Sequence, residues 1–367
     1  MKKVLWPSVF VVLFLAALSA CDSKTREEAK PEAVAQQVSV KAPVLTRDEE
    51  MRLKKRVAEY WGEVKLAAKQ NRQNLSTLQE VIAEFLREPN VVNLDEAKSM
   101  WLESYVHYQA LTVPSRFTKA APNVFAESSN IWLALDPYPI AVGFVDEFGP
   151  YKNIGIVHDY TVEMSEAAIR SQHAITDESE AVLGYLPMAF LLWGDGKTSE
   201  ERVADFAASS EEKPIMRRRK LLELNSVAIA KDAAVLQSWL DDTGPLDVLF
   251  YRLPVIAQVE LIKQANAAMI EDNILLPLND SDREDWRPYQ VWPAVFASQL
   301  KQLQKELDFL NAAGIKVIEP SESLSSFGAE KESEKKTLYK ALTSEQRAQF
   351  GSDLQEILNA IRAKAQQ

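Results

Sequence analysis

The sequence predicts an all-α protein, two helical-bundle domains preceded by a signal peptide and a flexible tether. Three observations carry this. Only 11 Gly occur among 367 residues, where an ordinary chain has about 7%, too few for the turns of a many-stranded sandwich or barrel. Apolar residues recur at three- and four-residue steps through most of the chain, the period of a helix with one buried face. The one strand-like run, Gly314 to Glu319, is short. Hydrophobic residues make up 47% of the chain, enough to bury real cores and to exclude wholesale disorder. Single cores rarely grow past about 250–300 residues, which favours two domains.

Residues 1–20 read as a lipoprotein signal peptide. Lys2 and Lys3 give a positive start, an apolar run extends to Leu18, and small Ser19 and Ala20 precede Cys21. The apolar part is short for a membrane span. The ending Leu18-Ser19-Ala20-Cys21 resembles a bacterial lipobox, which implies cleavage before Cys21 and a lipid on that residue, with the membrane as partner. No other Cys exists, so a disulfide framework and a thiolate zinc site are excluded. Residues 21–45 are polar and charged, with Pro31 and Pro43 and no apolar period, as in a tether. Asp22 resembles the retention signal of inner-membrane lipoproteins in enterobacteria. That rule varies between bacteria, so the expected location is the envelope, facing the periplasm, with inner or outer membrane left open.

The N-terminal bundle is expected over 46–195. Thr46 is suited to cap a long helix, with Asp48, Glu49 and Glu50 in its first turn. Val57, Trp61, Val64, Leu66 and Ala67 begin its apolar stripe, and Leu75, Leu78, Val81, Ile82 and Phe85 continue it until Pro89. A second helix is expected over 94–111, with Trp101, Tyr105 and Tyr108. Residues 115–155 carry four prolines and read as irregular. Further helices are expected over 156–172 and from Thr176, where Asp177 and Glu180 have capping-box spacing.

The C-terminal bundle is expected over 196–367. Pro214 opens a helix to about Asp241, with Leu221, Leu224, Val235 and Trp239 inward. A helix over 246–276 should bend at Pro254. Pro293 starts another, in which Leu300, Leu303, Leu307 and Leu310 form a bundle seam. A last amphipathic helix begins after Thr343.

The chain carries 53 acidic against 42 basic residues, which argues against nucleic acid as partner, since phosphate neutralisation needs clustered Lys and Arg. The run Arg217-Arg218-Arg219-Lys220 reads as a solvated helix face. Glu103 and His107 stand four apart on one face and are weak metal candidates, since two ligands hold a metal poorly. His158 is five residues from Glu163, off its face. His173 sits where capping is the expected role. Gly194-Asp195-Gly196-Lys197-Thr198 imitates a phosphate loop but has Leu191 where the pattern needs Gly. Asp280, Asp282 and Glu284 imitate a calcium loop that has Asp285 and Val291 in place of its Gly and Glu.

One region has a family character. The chain reads Leu135-Asp136-Pro137-Tyr138-Pro139, then Gly143-Phe144-Val145-Asp146, then Gly184-Tyr185-Leu186-Pro187-Met188-Ala189-Phe190-Leu191-Leu192-Trp193-Gly194. This resembles the imelysin family of bacterial envelope proteins, whose members carry L-x-x-W-P, G-[FY]-[IV]-D and G-[FY]-H-x-[IL]-E-[FY]-L-L-W-G. The resemblance implies an extracytoplasmic, all-helical protein of two bundles linked to iron uptake, and some members are described as metallopeptidases. Their G-x-H-x-x-E motif places an imidazole and a carboxylate on one helix face, a set that suits zinc or iron.

Here Leu186 stands at the His position and Ala189 at the Glu position. Neither has a lone pair to donate, and Met188 offers only a soft thioether. A second family pattern, Y-G-x-T-E, is here Tyr108-Gln109-Ala110-Leu111-Thr112, without its acid. The expectation is a degenerate, apolar groove at Gly184, Tyr185, Leu186, Met188, Ala189 and Trp193. It has no catalytic residue and no resident cofactor, and it serves a ligand or partner in iron uptake. The alternative is an imelysin-type metallopeptidase with a site for iron or zinc rebuilt from Glu103, His107, His158 or other acids.

Overall fold

Thr46 sets the start of the longest element. Its side chain accepts from the Glu49 amide while Glu49 reaches back to the Thr46 amide at 2.8 Å, a reciprocal cap that satisfies two orphan donors. Helix α1 follows, Arg47–Arg87. The computed structural model describes residues 45–207, 212–279, 292–322, 324–325, 327 and 342–363. The signal peptide, Cys21, nearly all of the tether and the 280–285 lookalike lie outside the described residues.

The stripe of α1 is buried at Val57, Trp61, Val64, Ala68, Leu75, Leu78, Ile82 and Phe85. Leu66 falls off this face and is exposed. Asn90 caps α2, Val91–Tyr108, by accepting from the Asn93 amide at 2.9 Å. Short helical turns then lead to α3, Ser129–Leu135. Helix α4 is Glu166–Gln172, α5 Tyr185–Trp193, α6 Ser199–Ala204 and α7 Lys213–Leu240. Helix α8, Pro245–Arg252, precedes α9, Val255–Met269. Helices α10, Trp292–Ala312, and α11, Ser344–Arg362, complete the order. Among the described residues no strand forms, and the Gly314–Glu319 run makes no ladder. The fold is all-α, as its apolar period requires.

Three element expectations are corrected. Residues 156–165 are not helical, and α4 starts only at Glu166. The Ile156 and Val157 amides donate to the carbonyls of Phe144 and Val145 at 2.9 and 3.2 Å, so they are committed across the chain rather than along it. Gly155 permits that approach, with φ +79° and no room for a Cβ beside the Val145 carbonyl. No helix begins at Thr176, because the Asp177 carboxylate takes the Ser179 amide in a local turn. Pro254 divides the 246–276 segment outright: Leu253 is extended, and α9 ends in a π-helical turn at Ile270–Leu275.

Helix α7 lies along α1, and buried residues from both sides of position 195 belong to one cluster. Trp61 of α1 stacks on Phe250 of α8 at 4.1 Å and donates its Nε1–H to Asp247 at 2.9 Å. The expected division at 195/196 thus does not interrupt the core.

The basic run is likewise corrected. Arg217 donates to the carbonyls of Ile156, Val157, Asp159 and Val162. Arg219 donates to Phe206 and Leu86, and Arg218 is buried. Only Lys220 behaves as a solvated charge, paired with Glu223. The non-helical 156–162 backbone leaves carbonyls that need donors, and the Arg217 guanidinium supplies them.

Candidate functional site

Helix α5 is the segment on which the sequence concentrates. All nine of its residues are buried, with Leu186 3% exposed and Met188 and Ala189 at 0%. It packs against α2 and α7. The expected groove is therefore a packed interior. Its apolar character follows from a run with no charged residue from Tyr185 to Trp193.

Each retained residue has a structural use. Gly184 holds φ +104°, and a Cβ there would meet Pro137 at 2.7 Å and the carbonyls of Ala134 and Leu135 at 2.9 Å. Asn225 of α7 clamps it, accepting from its amide at 2.9 Å and donating to its carbonyl at 3.2 Å. Tyr185 donates its hydroxyl to Asn71 at 2.6 Å, and its carbonyl accepts from Trp101 Nε1 at 2.9 Å. Trp193 meets Trp101 edge-on at 5.3 Å. Gly194 turns the chain at φ +66° beside Arg202, whose guanidinium donates to the Leu191 carbonyl.

Polar groups gather at the margins of this helix. Tyr105 donates to Asp136 at 2.9 Å. Burial raises the Asp136 carboxyl to about 6, although the Tyr105 bond and the Arg116 charge oppose it. Asp146, from the Gly143–Asp146 segment, pairs with Arg218 at 2.5 Å and lies 3.3 Å from His158 Nε2. Burial alone would raise the Asp146 carboxyl. The nearby His158 ring, the hydrogen bonds from Arg218, and the Arg218 and Arg202 charges outweigh it and hold the group well below the usual carboxylate range. Asp146 thus serves as counter-ion to a buried guanidinium.

The histidines do not converge. His107 is exposed, and its Nδ1 lies 2.8 Å from the Glu103 carbonyl oxygen, so this pair is tied through backbone. His158 faces Asp146. His173 Nδ1 accepts from the Val182 and Leu183 amides at 3.3 Å each, which ties down the non-helical chain before α5; the helix it was expected to cap does not form. Burial lowers its pKa to about 4. Among the described residues no group of three or more His, Cys, Asp or Glu is arranged to hold a metal.

Sequence reasoning missed two features. One is the Asp146–Arg218 pair, since partners 72 residues apart leave no local signal. The other is Glu306 of α10, 1% exposed, which accepts from Gln302 at 2.7 Å and Asn266 at 3.0 Å. Its signal was available: it falls between Leu303 and Leu310 on the apolar seam, where an acid is out of place.

An all-α body around a glycine-bounded, wholly buried helix defines the class of protein. The family model described as Imelysin, peptidase family M75, matches residues 66–271, and the chain belongs to the imelysin family. No curated protein matches it. Among the described residues no helix is long and apolar enough to cross a membrane.

Proposed function

We propose that this imelysin-family chain is a non-catalytic binding protein of the bacterial envelope, held to a membrane by lipid on Cys21, facing the periplasm and serving iron uptake through a ligand or partner protein. The observation that supports this reading is the state of α5. Leu186 and Ala189 are not only hydrocarbon but packed at 3% and 0% exposure, so water and peptide have no route to these two side chains in this conformation. The acids at the margin have other duties, Asp146 with Arg218 and Asp136 with Tyr105. The lipobox, with the chain's only Cys at the modified position, supports the anchor.

The test combines metal analysis and a peptidase assay on protein purified without added metal. Substoichiometric zinc and iron, and no cleavage of unstructured protein substrates, are expected. Stoichiometric metal that is lost in a His107→Ala or His158→Ala variant, together with metal-dependent cleavage, would overturn the non-catalytic reading. Labelling with a lipid precursor, abolished by Cys21→Ser, tests the anchor.

A further inference from the structure

A cleft of about 820 Å³ opens between α1, the C-terminal end of α2 and α10, away from α5. Its size suits a small organic ligand. The inner wall is largely apolar, formed by Val64, Ala67, Ala110, Tyr60 and Phe309, with the rings of Tyr60 and Phe309 4.8 Å apart. One ionisable acid is buried in that wall, Glu306.

Two polar features there are incompletely satisfied. The Glu306 carboxylate accepts from the amides of Gln302 and Asn266, and among the described residues no Lys or Arg forms an ion pair with it. The Tyr60 hydroxyl is close enough to Glu306 to feel its charge but is buried without a well-formed hydrogen bond. A buried carboxylate without a counter-ion is unfavourable, and amide dipoles offset that only in part. The remaining charges stand at the exposed rim, where water screens them: Arg56 and Lys305 against Glu59, Glu63 and Asp308, with His107 beside them. An anion would meet Glu306 unaided. A cation would find a buried carboxylate, a hydroxyl able to accept an N–H, and aromatic faces that attract positive charge.

We propose that this cleft binds a primary organic ammonium with an apolar body, its N–H groups on Glu306 and the Tyr60 hydroxyl and its apolar part against Phe309, Val64 and Ala67. The inference goes beyond the envelope role and does not depend on α5 or on the lipid. Affinity should follow the ionisation of Glu306, which burial pushes up to about 7, with the Glu63 charge adding and the bonds from Asn266 and Gln302 and the nearby Tyr60 hydroxyl opposing. The other charged or titratable groups lining the cleft are Arg56 and Glu59 from α1, His107 from α2, and Lys305 and Asp308 on its own helix. Asn266 is the contact from α9.

The test is calorimetric titration of the whole mature chain with 2-phenylethylammonium, and with 2-phenylethanol as its neutral counterpart. Saturable binding of the amine is expected, about tenfold tighter at pH 8 than at pH 6 as the ionised fraction of Glu306 changes. The alcohol should bind at least about tenfold more weakly, because it brings no charge to the carboxylate. Glu306→Gln should abolish the preference for the amine. Absence of saturable amine binding, equal binding of amine and alcohol, or pH-independent affinity overturns the proposal. All three of these readings use the unsubstituted protein, so they stand even if the variant fails to fold.

Discussion

Replacing Glu306 by Gln should make the protein more stable at alkaline pH than the natural chain. The residue is 1% exposed, and burial raises its carboxyl from 4.5 to about 7. Below pH 4.5 both folded and unfolded chains hold the proton, and the group contributes nothing to the balance. Between pH 4.5 and about 7 the unfolded chain releases its proton while the folded chain retains it, so stability falls as pH rises. Above pH 7 the penalty is complete, about 3 kcal/mol for a carboxyl raised from 4.5 to about 7. Gln carries no charge and can still accept from Gln302 or Asn266. Urea unfolding followed by circular dichroism at pH 5, 6, 7 and 8 measures the gap between variant and natural protein. The gap should widen in favour of the variant by about 2.5 kcal/mol across that range. A gap that stays constant or narrows would refute the assignment of an uncompensated buried carboxylate.

Other substitutions test the remaining pieces. Gly184→Ala places a methyl 2.7 Å from Pro137 at φ +104° and should cost about 3 kcal/mol or more in thermal unfolding; an unchanged melting temperature would contradict the account of that turn. Asp146→Asn leaves Arg218 buried without its counter-ion and should cost about 3–5 kcal/mol in urea unfolding, whereas a loss below about 1 kcal/mol would mean the pair is exposed in solution. Ala189→Glu puts a carboxylate at a position with 0% exposure and should cost about 4 kcal/mol at pH 7, partly recovered on acidification as the group takes a proton. A stability loss with no pH dependence would show that the new side chain escapes to water.

The long helices were legible because their stripes are strong: Val57, Trp61, Val64 and Ala68 are all buried, and Thr46 and Thr343 cap where their side chains suggest. The stretches 156–165 and 174–183 were not, because their amides bond to residues 144 and 145 or to local partners, a tertiary choice that no periodicity records. Charge was the least readable property. Arg217, Arg218 and Arg219 look like a solvated run until the carbonyls and the Asp146 carboxylate that require them are in place. At α5 the informative change was visible in the letters themselves, since Leu186 and Ala189 cannot coordinate. Their packing against neighbouring helices was not visible, because a wholly apolar run reads alike as groove wall or core.

Leu186 and Ala189 leave α5 without an imidazole or carboxylate that can coordinate a metal. Anomalous diffraction from crystals of the protein soaked in zinc or ferrous salt addresses this directly. No metal peak is expected within coordinating distance of α5. A strong peak there, bound by neighbouring acids or by His158 after rearrangement, would contradict it.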